Sequence, residues 1–95
     1  MKKVDVFKEF TAEERMTRIG GEKLRNLILK SYPVTLEFDG RAIASVSFLD
    51  KGIAKLILEG WSEKEIDARL KYDRIHPRDL GIVKDLIKER LRSKT

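Results

Sequence analysis

The chain has 95 residues, of which 41% are hydrophobic and 39% charged, a composition that predicts one globular domain with a packed core. The absence of cysteine excludes disulfides, and with a single histidine we expect no structural zinc site. No apolar run approaches the ~20 residues that a membrane span requires, and the N-terminal residues lack the apolar segment of a signal peptide. We therefore expect a cytoplasmic protein with no membrane partner.

The first third of the chain predicts a strand followed by helices. Val4 and Val6 alternate with polar residues, which indicates a first strand. Thr11 and Glu14 have the spacing of a capping box, which predicts the start of a short helix. A longer helix is predicted from about residue 20 to residue 31, and it ends before Pro33 because the residue preceding proline is disfavoured in a helix.

The middle of the chain predicts a strand, a polar connection and a second helix. Apolar and polar residues alternate from Val34 to Asp39, which is the pattern of a half-buried strand. Asp39 and Gly40 form a turn signal that ends this strand. Ser47, with Asp50 three residues later, fits a helix cap. The helix that it opens has an apolar face, formed by Leu49, Ile53, Leu56 and Ile57.

The last third predicts two further helices with a strand between them. Ser62 and Glu65 form a capping box, and Trp61 and Ile66 occupy the two positions of a hydrophobic staple. Residues 71–75 indicate another strand. Pro77 then occupies the first position of the final helix, and His76 fits a cap or turn residue before it.

Strands that alternate with amphipathic helices predict an α/β fold. We expect residues 1–95 to form a single domain, with an open, mixed and partly parallel sheet on which amphipathic helices pack. The side of the central strand that carries Thr35, Glu37 and Asp39 is too polar for a doubly buried parallel strand, so we expect it to be partly exposed.

Several short segments resemble the STAS-like domain family of unknown function, which is related to the anti-sigma-factor antagonist domains of bacteria. They are Arg18, Gly21 and Leu24, then residues 36–40, residues 46–50, and Tyr72, Ile75 and Pro77. The resemblance spans roughly residues 17–90 and implies a STAS-like sheet with packed helices. It also implies a regulatory protein-interaction module in signalling and transcription control, and no enzyme.

The resemblance implies a docking site on the strand, loop and helix around Ser45–Lys51. Its partner would be another protein, a histidine-kinase-like ATPase or an anti-sigma factor. The candidate partner-binding or phospho-regulatory residues are Ser45, Ser47, Phe48, Asp50 and Lys51. Classical antagonists are released when a serine at the helix start is phosphorylated. In this chain Val46, which has no hydroxyl, stands at the usual acceptor position and so departs from the pattern of that switch.

A second hypothesis is a small basic nucleic-acid-binding protein. The formal net charge is +5, and basic residues are concentrated in the last helix, where Lys84, Lys88, Arg90 and Arg92 are the candidate contacts. This hypothesis predicts that these side chains converge on one face. We expect no catalytic residues, no cofactor and no metal site, and either a monomer or a homodimer.

Overall fold

Three short strands form one sheet, in which each strand runs parallel to its neighbour. They are β1 (Lys2–Asp5), β2 (Val34–Glu37) and β3 (Leu70–Asp73), with β2 in the centre. This computed structural model describes residues 2–94. The predicted α/β fold is confirmed, but the described strands are all parallel rather than mixed, since each is joined to the next through helices.

Five α-helices and two 3₁₀ segments connect and follow the strands. The helices are α1 (Val6–Glu9), α2 (Arg18–Ser31), α3 (Val46–Gly52), α4 (Glu63–Arg69) and α5 (Pro77–Lys94). The 3₁₀ segments span Glu14–Met16 and Ala54–Glu59. Among the described residues, no helix is both long enough and apolar enough to cross a membrane.

The two faces of the sheet differ because side chains alternate along each strand. Val4, Leu36 and Tyr72 are in register and belong to the face on which the core packs. The opposite face carries two charged rows, one formed by Lys3, Thr35 and Lys71 and the other by Asp5, Glu37 and Asp73. This face is therefore polar, as the alternation in the sequence predicts.

Glu37 is an exception to the predicted exposure of the polar face, because only 5% of its surface is accessible. Its carboxylate lies 3.0 Å from Nε of Arg74 and 3.6 Å from Nζ of Lys3. The hydrogen bond that it accepts from the backbone amide of Asp39 lowers its pKa most, and Arg74 and Lys3 lower the pKa further.

The first strand ends earlier than the sequence pattern predicts. Val6 begins α1 instead of continuing β1, because the carboxylate of Asp5 accepts hydrogen bonds from the backbone amides of Phe7 and Lys8. The capping box of Thr11 and Glu14 is confirmed, with both reciprocal bonds present. The helix that it opens is a single 3₁₀ turn.

The predicted helix through Ile57 is divided in two. α3 ends at Gly52, a residue with a weak helix preference, and the tighter 3₁₀ segment follows. Leu56 and Ile57 are nevertheless fully buried, as the apolar pattern predicts. The capping box of Ser62 and Glu65 at α4 is also confirmed.

Two glycines allow α2 and α3 to pack closely. A Cβ atom on Gly21 would lie 2.7 Å from the carbonyl oxygen of Phe48, and one on Gly52 would lie 2.6 Å from Cδ2 of Leu24. Both distances are shorter than a van der Waals contact. At Gly21 the close atom belongs to the backbone of α3, so a side chain there requires movement of a helix, whereas at Gly52 it is the end of the Leu24 side chain, which would have to change its position. The packing fixes α3 on the core face of the sheet.

Candidate docking site at the start of helix α3

The connection between β2 and α3 is a structured loop at the carboxyl end of the central strand. Asp39 and Gly40 have positive φ angles of 54° and 70°, which confirms the turn that the sequence predicts. The amide of Gly40 donates to the carbonyl of Arg74, and the amide of Arg41 donates to the carbonyl of Phe38. The loop is therefore bonded to the segment that follows β3.

Asp79 of α5 fixes the end of this loop. Its side chain is fully buried, and its carboxylate accepts hydrogen bonds from the amides of Ile43 at 2.6 Å and Ala44 at 2.9 Å. Hydrogen bonds to an ionised carboxylate are stronger than those between neutral groups. Asp79 thus determines where the chain enters α3. The sequence predicts no role for it, because its partners are more than 30 residues away.

Ser45 caps α3, and the prediction that Ser47 does so is wrong. The hydroxyl of Ser45 accepts a hydrogen bond from the amide of Phe48 at 3.3 Å, and Ser45 is 6% exposed. The anchoring of Ala44 by Asp79 starts the helix two residues earlier than the pattern predicts. Ser47 is instead the second residue of α3 and is exposed to solvent. Of these two serines, only Ser47 is therefore accessible to a partner protein.

Phe48 does not belong to the accessible surface. It is fully buried and packs edge-on against Phe10, with ring centroids 5.5 Å apart. In this structure its side chain holds α3 on the core, and its assignment as a partner contact stays a prediction. The exposed apolar residue at this position in the fold is Val46, with 55% of its surface accessible. Val46 is the residue that stands at the usual acceptor position in the sequence, where no contact is predicted for it.

Asp50 and Lys51 lie at the end of α3 beside other helices. Asp50 accepts two hydrogen bonds from Arg90 of α5, at 3.1 Å from Nε and 2.6 Å from Nη2. These bonds raise the pKa of Arg90. Nζ of Lys51 lies 3.7 Å from the same carboxylate, and the carbonyl of Lys51 accepts from Arg25. Both residues thus take part in contacts that position α3.

Helices α3 and α5 lie side by side, with a depression between them where Asp50 meets Arg90. The two helices run in the same direction, since Asp79 contacts the residues before α3 and Arg90 contacts Asp50 near its end. Helical spacing places Val46 on the Asp50 side of α3. It also places Ile82 and Leu86 on the Arg90 side of α5. The depression has a volume of about 240 Å³ and is lined by Asp50, Leu86, Glu89, Arg90 and Ser93. We call this surface the α3–α5 groove.

The four basic candidates of the last helix do not share one face. Arg90 is directed to Asp50, and Arg92 forms an ion pair with Glu89 at 2.7 Å. Lys84 and Lys88 lie on a side of α5 away from Arg90, where they line a second groove together with acidic residues of α4. Helical spacing keeps Arg92 on the side of Lys84 and Lys88, so only Arg90 departs from the predicted face, and the nucleic-acid hypothesis stays a prediction.

His76, the single histidine of the sequence, lies directly before α5. Nδ1 of His76 accepts a hydrogen bond from the amide of Arg78, which confirms the predicted cap at the start of α5. Within residues 2–94, no group of three or more histidine or acidic side chains is arranged to hold a metal ion.

Comparisons with known proteins give no family assignment. No family model matches the chain, and neither the curated proteins nor the solved structures give a significant match.

Proposed function

We propose that this chain is a regulatory protein-interaction domain that resembles an anti-sigma-factor antagonist and docks another protein at the start of α3. The observation that supports the proposal is the exposure of Val46 at the first position of α3, on the side of the helix that carries Asp50. Removal of an apolar residue from water by a partner favours binding by about 25 cal/mol per Å² of buried apolar surface. Residues of this kind form the centre of protein interfaces.

The local structure supports a preorganised surface. The cap of Ser45, the two bonds to Asp79 and the paired contacts of Asp50 with Arg90 all fix the first two turns of α3. A surface that is rigid before binding loses less conformational entropy on association. This rigidity favours recognition of one partner over non-specific association.

Ser47 supplies a site of regulation in this proposal. It is exposed and directly follows Val46, so a phosphate on its hydroxyl would add a charge of about −1.5 to −2 next to the apolar contact. A partner surface matched to Val46 would then have to bury this charge or dissociate. The partner class that the resemblance implies is a histidine-kinase-like ATPase or an anti-sigma factor.

Site-specific crosslinking in cells tests the proposal. A benzophenone amino acid at position 46 is compared with the same residue at position 58, because Leu58 is equally exposed, at 52%, in a different part of the fold. We expect a protein crosslinked from position 46, retained after nuclease treatment and absent from position 58. Equal crosslinking from both positions, or crosslinks to nucleic acid alone, would overturn the proposal.

A further inference from the structure

A second groove lies on the other side of α5, between α5 and α4, and Tyr72 of the edge strand β3 also lines it. It encloses about 270 Å³, and its floor is formed by Tyr72, Leu80, Val83 and Ile87. Val83 and Ile87 are buried, so the groove reaches down to the hydrophobic core. We call it the α4–α5 groove. It is separate from the α3–α5 groove, because helical spacing places its residues on a different side of α5.

The two walls of this groove carry opposite charges. Glu63 and Asp67 are four residues apart on α4, and Lys84 and Lys88 are four residues apart on α5. This spacing places each pair on one face of its helix. All four side chains are exposed, and none of them forms an ion pair with another residue of 2–94. The groove therefore has an unpaired acidic wall and an unpaired basic wall.

Tyr72 adds a neutral polar group to the apolar floor. Its ring lies 6.3 Å from that of Phe38, and burial together with the nearby charge of Asp67 raises the pKa of its hydroxyl. The hydroxyl therefore stays protonated and can donate. Within the described residues it has no hydrogen-bond partner, although it belongs to the lining of the groove. A bound segment can accept this hydrogen bond.

From this arrangement we propose that the α4–α5 groove binds an amphipathic helix of a partner protein, with basic residues along one side of its apolar stripe and acidic residues along the other. An apolar stripe fits the floor formed by Tyr72, Val83 and Ile87, in the manner of a helix laid in a groove. A uniformly basic segment would be repelled by one wall, and a uniformly acidic segment by the other. Flanking charges select partners in the same way in coiled coils.

The length of α4 limits the contact. Seven residues extend about 10 Å, which corresponds to two turns of a bound helix. Two apolar anchor residues therefore fill the floor, while one or two charged residues meet each wall. The predicted interaction is short and modest in affinity, and its selectivity comes from the charges.

Synthetic helical peptides with one common apolar stripe test the charge pattern. Three peptides carry mixed flanks, arginine on both flanks or glutamate on both flanks, and their binding to the purified full chain is measured by fluorescence anisotropy. We expect the mixed peptide to bind about tenfold more tightly than either uniform peptide, which corresponds to about 1.4 kcal/mol. Equal binding of all three peptides would overturn the proposal.

Charge reversal of either wall provides the decisive comparison. Lys84→Glu combined with Lys88→Glu makes both walls acidic, so the preference should switch to the arginine peptide. Glu63→Lys combined with Asp67→Lys makes both walls basic and should switch it to the glutamate peptide. These residues are exposed, and circular dichroism checks that the variants are folded.

The result can be separated from the docking role of α3. Val46→Asp should leave peptide binding unchanged, because it alters only the α3–α5 groove. A folded wall variant that retains its original preference, or loss of peptide binding in Val46→Asp, would overturn the assignment of the peptide to the α4–α5 groove.

Discussion

Replacement of Asp79 by alanine should destabilise the fold more than any change of a surface carboxylate. Asp79 is fully buried and bonds the amides of Ile43 and Ala44. In Asp79→Ala the amide of Ile43 is left buried without a partner, which costs about 1–3 kcal/mol. The amide of Ala44 loses a bond to a charged group but belongs to an exposed residue, so water compensates part of that loss.

Two smaller effects of the same substitution oppose each other. Alanine has a higher helix propensity than aspartate, by about 0.5 kcal/mol. The negative charge near the N-terminus of α5 is lost, which costs about 0.3–1 kcal/mol. The net expectation is a decrease of about 1–4 kcal/mol in the free energy of unfolding. For a domain of this size, that corresponds to a fall of roughly 15 °C in Tm.

Urea denaturation followed by circular dichroism measures this change. Asp85→Ala is the matched control, because Asp85 lies on the same helix, is exposed and has no ion pair with a described residue. It should change the free energy of unfolding by less than about 0.5 kcal/mol. If the two substitutions have the same effect, Asp79 does not anchor the loop before α3.

Three further predictions follow from the packing, the caps and the titration of the chain. Gly21→Ala should cost about 1–3 kcal/mol of unfolding free energy in a denaturant titration, because its Cβ would overlap the backbone of α3, whereas Gly81→Ala has open space and should stabilise α5 by about 0.5–1 kcal/mol. If both substitutions change the free energy of unfolding in the same direction, the close contact of α2 and α3 is contradicted. Ser45→Ala should cost about 1 kcal/mol in the same assay, and Ser47→Ala almost nothing, which distinguishes the cap from its neighbour. The pKa of Glu37 is lowered in the folded chain, so its contribution to the free energy of unfolding is complete above about pH 4.5 and is lost as the pH falls through the folded pKa. Glu37→Gln should therefore flatten the acid side of a profile of unfolding free energy against pH. An unchanged slope would contradict this contribution.

Local signals in the sequence predict much of this fold. The capping box of Ser62 and Glu65 and the buried staple residues Trp61 and Ile66 correctly place the start of α4. These features succeed because both partners lie within five residues of each other. The alternation from Val34 onward likewise identifies the central strand and its buried face.

The start of α3 could not be predicted from local pattern. Ser45 and Ser47 both precede an apolar helical stretch, and Ser47 has the better-spaced acidic residue, Asp50. Two contacts across the fold decide the outcome, since Asp79 bonds the residues before Ser45 and Arg90 engages Asp50. Such contacts leave no periodic signal in the sequence.

The charge of the last helix illustrates the same limit. The sequence shows how many basic residues α5 carries, but it does not show that Arg90 is directed to α3 while Lys84 faces the acidic residues of α4. The two grooves on either side of α5 emerge only from the packing. The resemblance to the STAS-like family stays a prediction, as does its implied partner.

The most direct test of the docking role is the affinity of the purified chain for the protein crosslinked at position 46. Isothermal titration calorimetry compares the wild-type chain with Val46→Asp, Ser47→Asp and Leu58→Asp. We expect the changes at Val46 and Ser47 to weaken binding by at least about tenfold and the change at Leu58 by less than about twofold. Equal losses at all three positions, or unchanged affinity in folded Val46→Asp, would contradict docking at the start of α3.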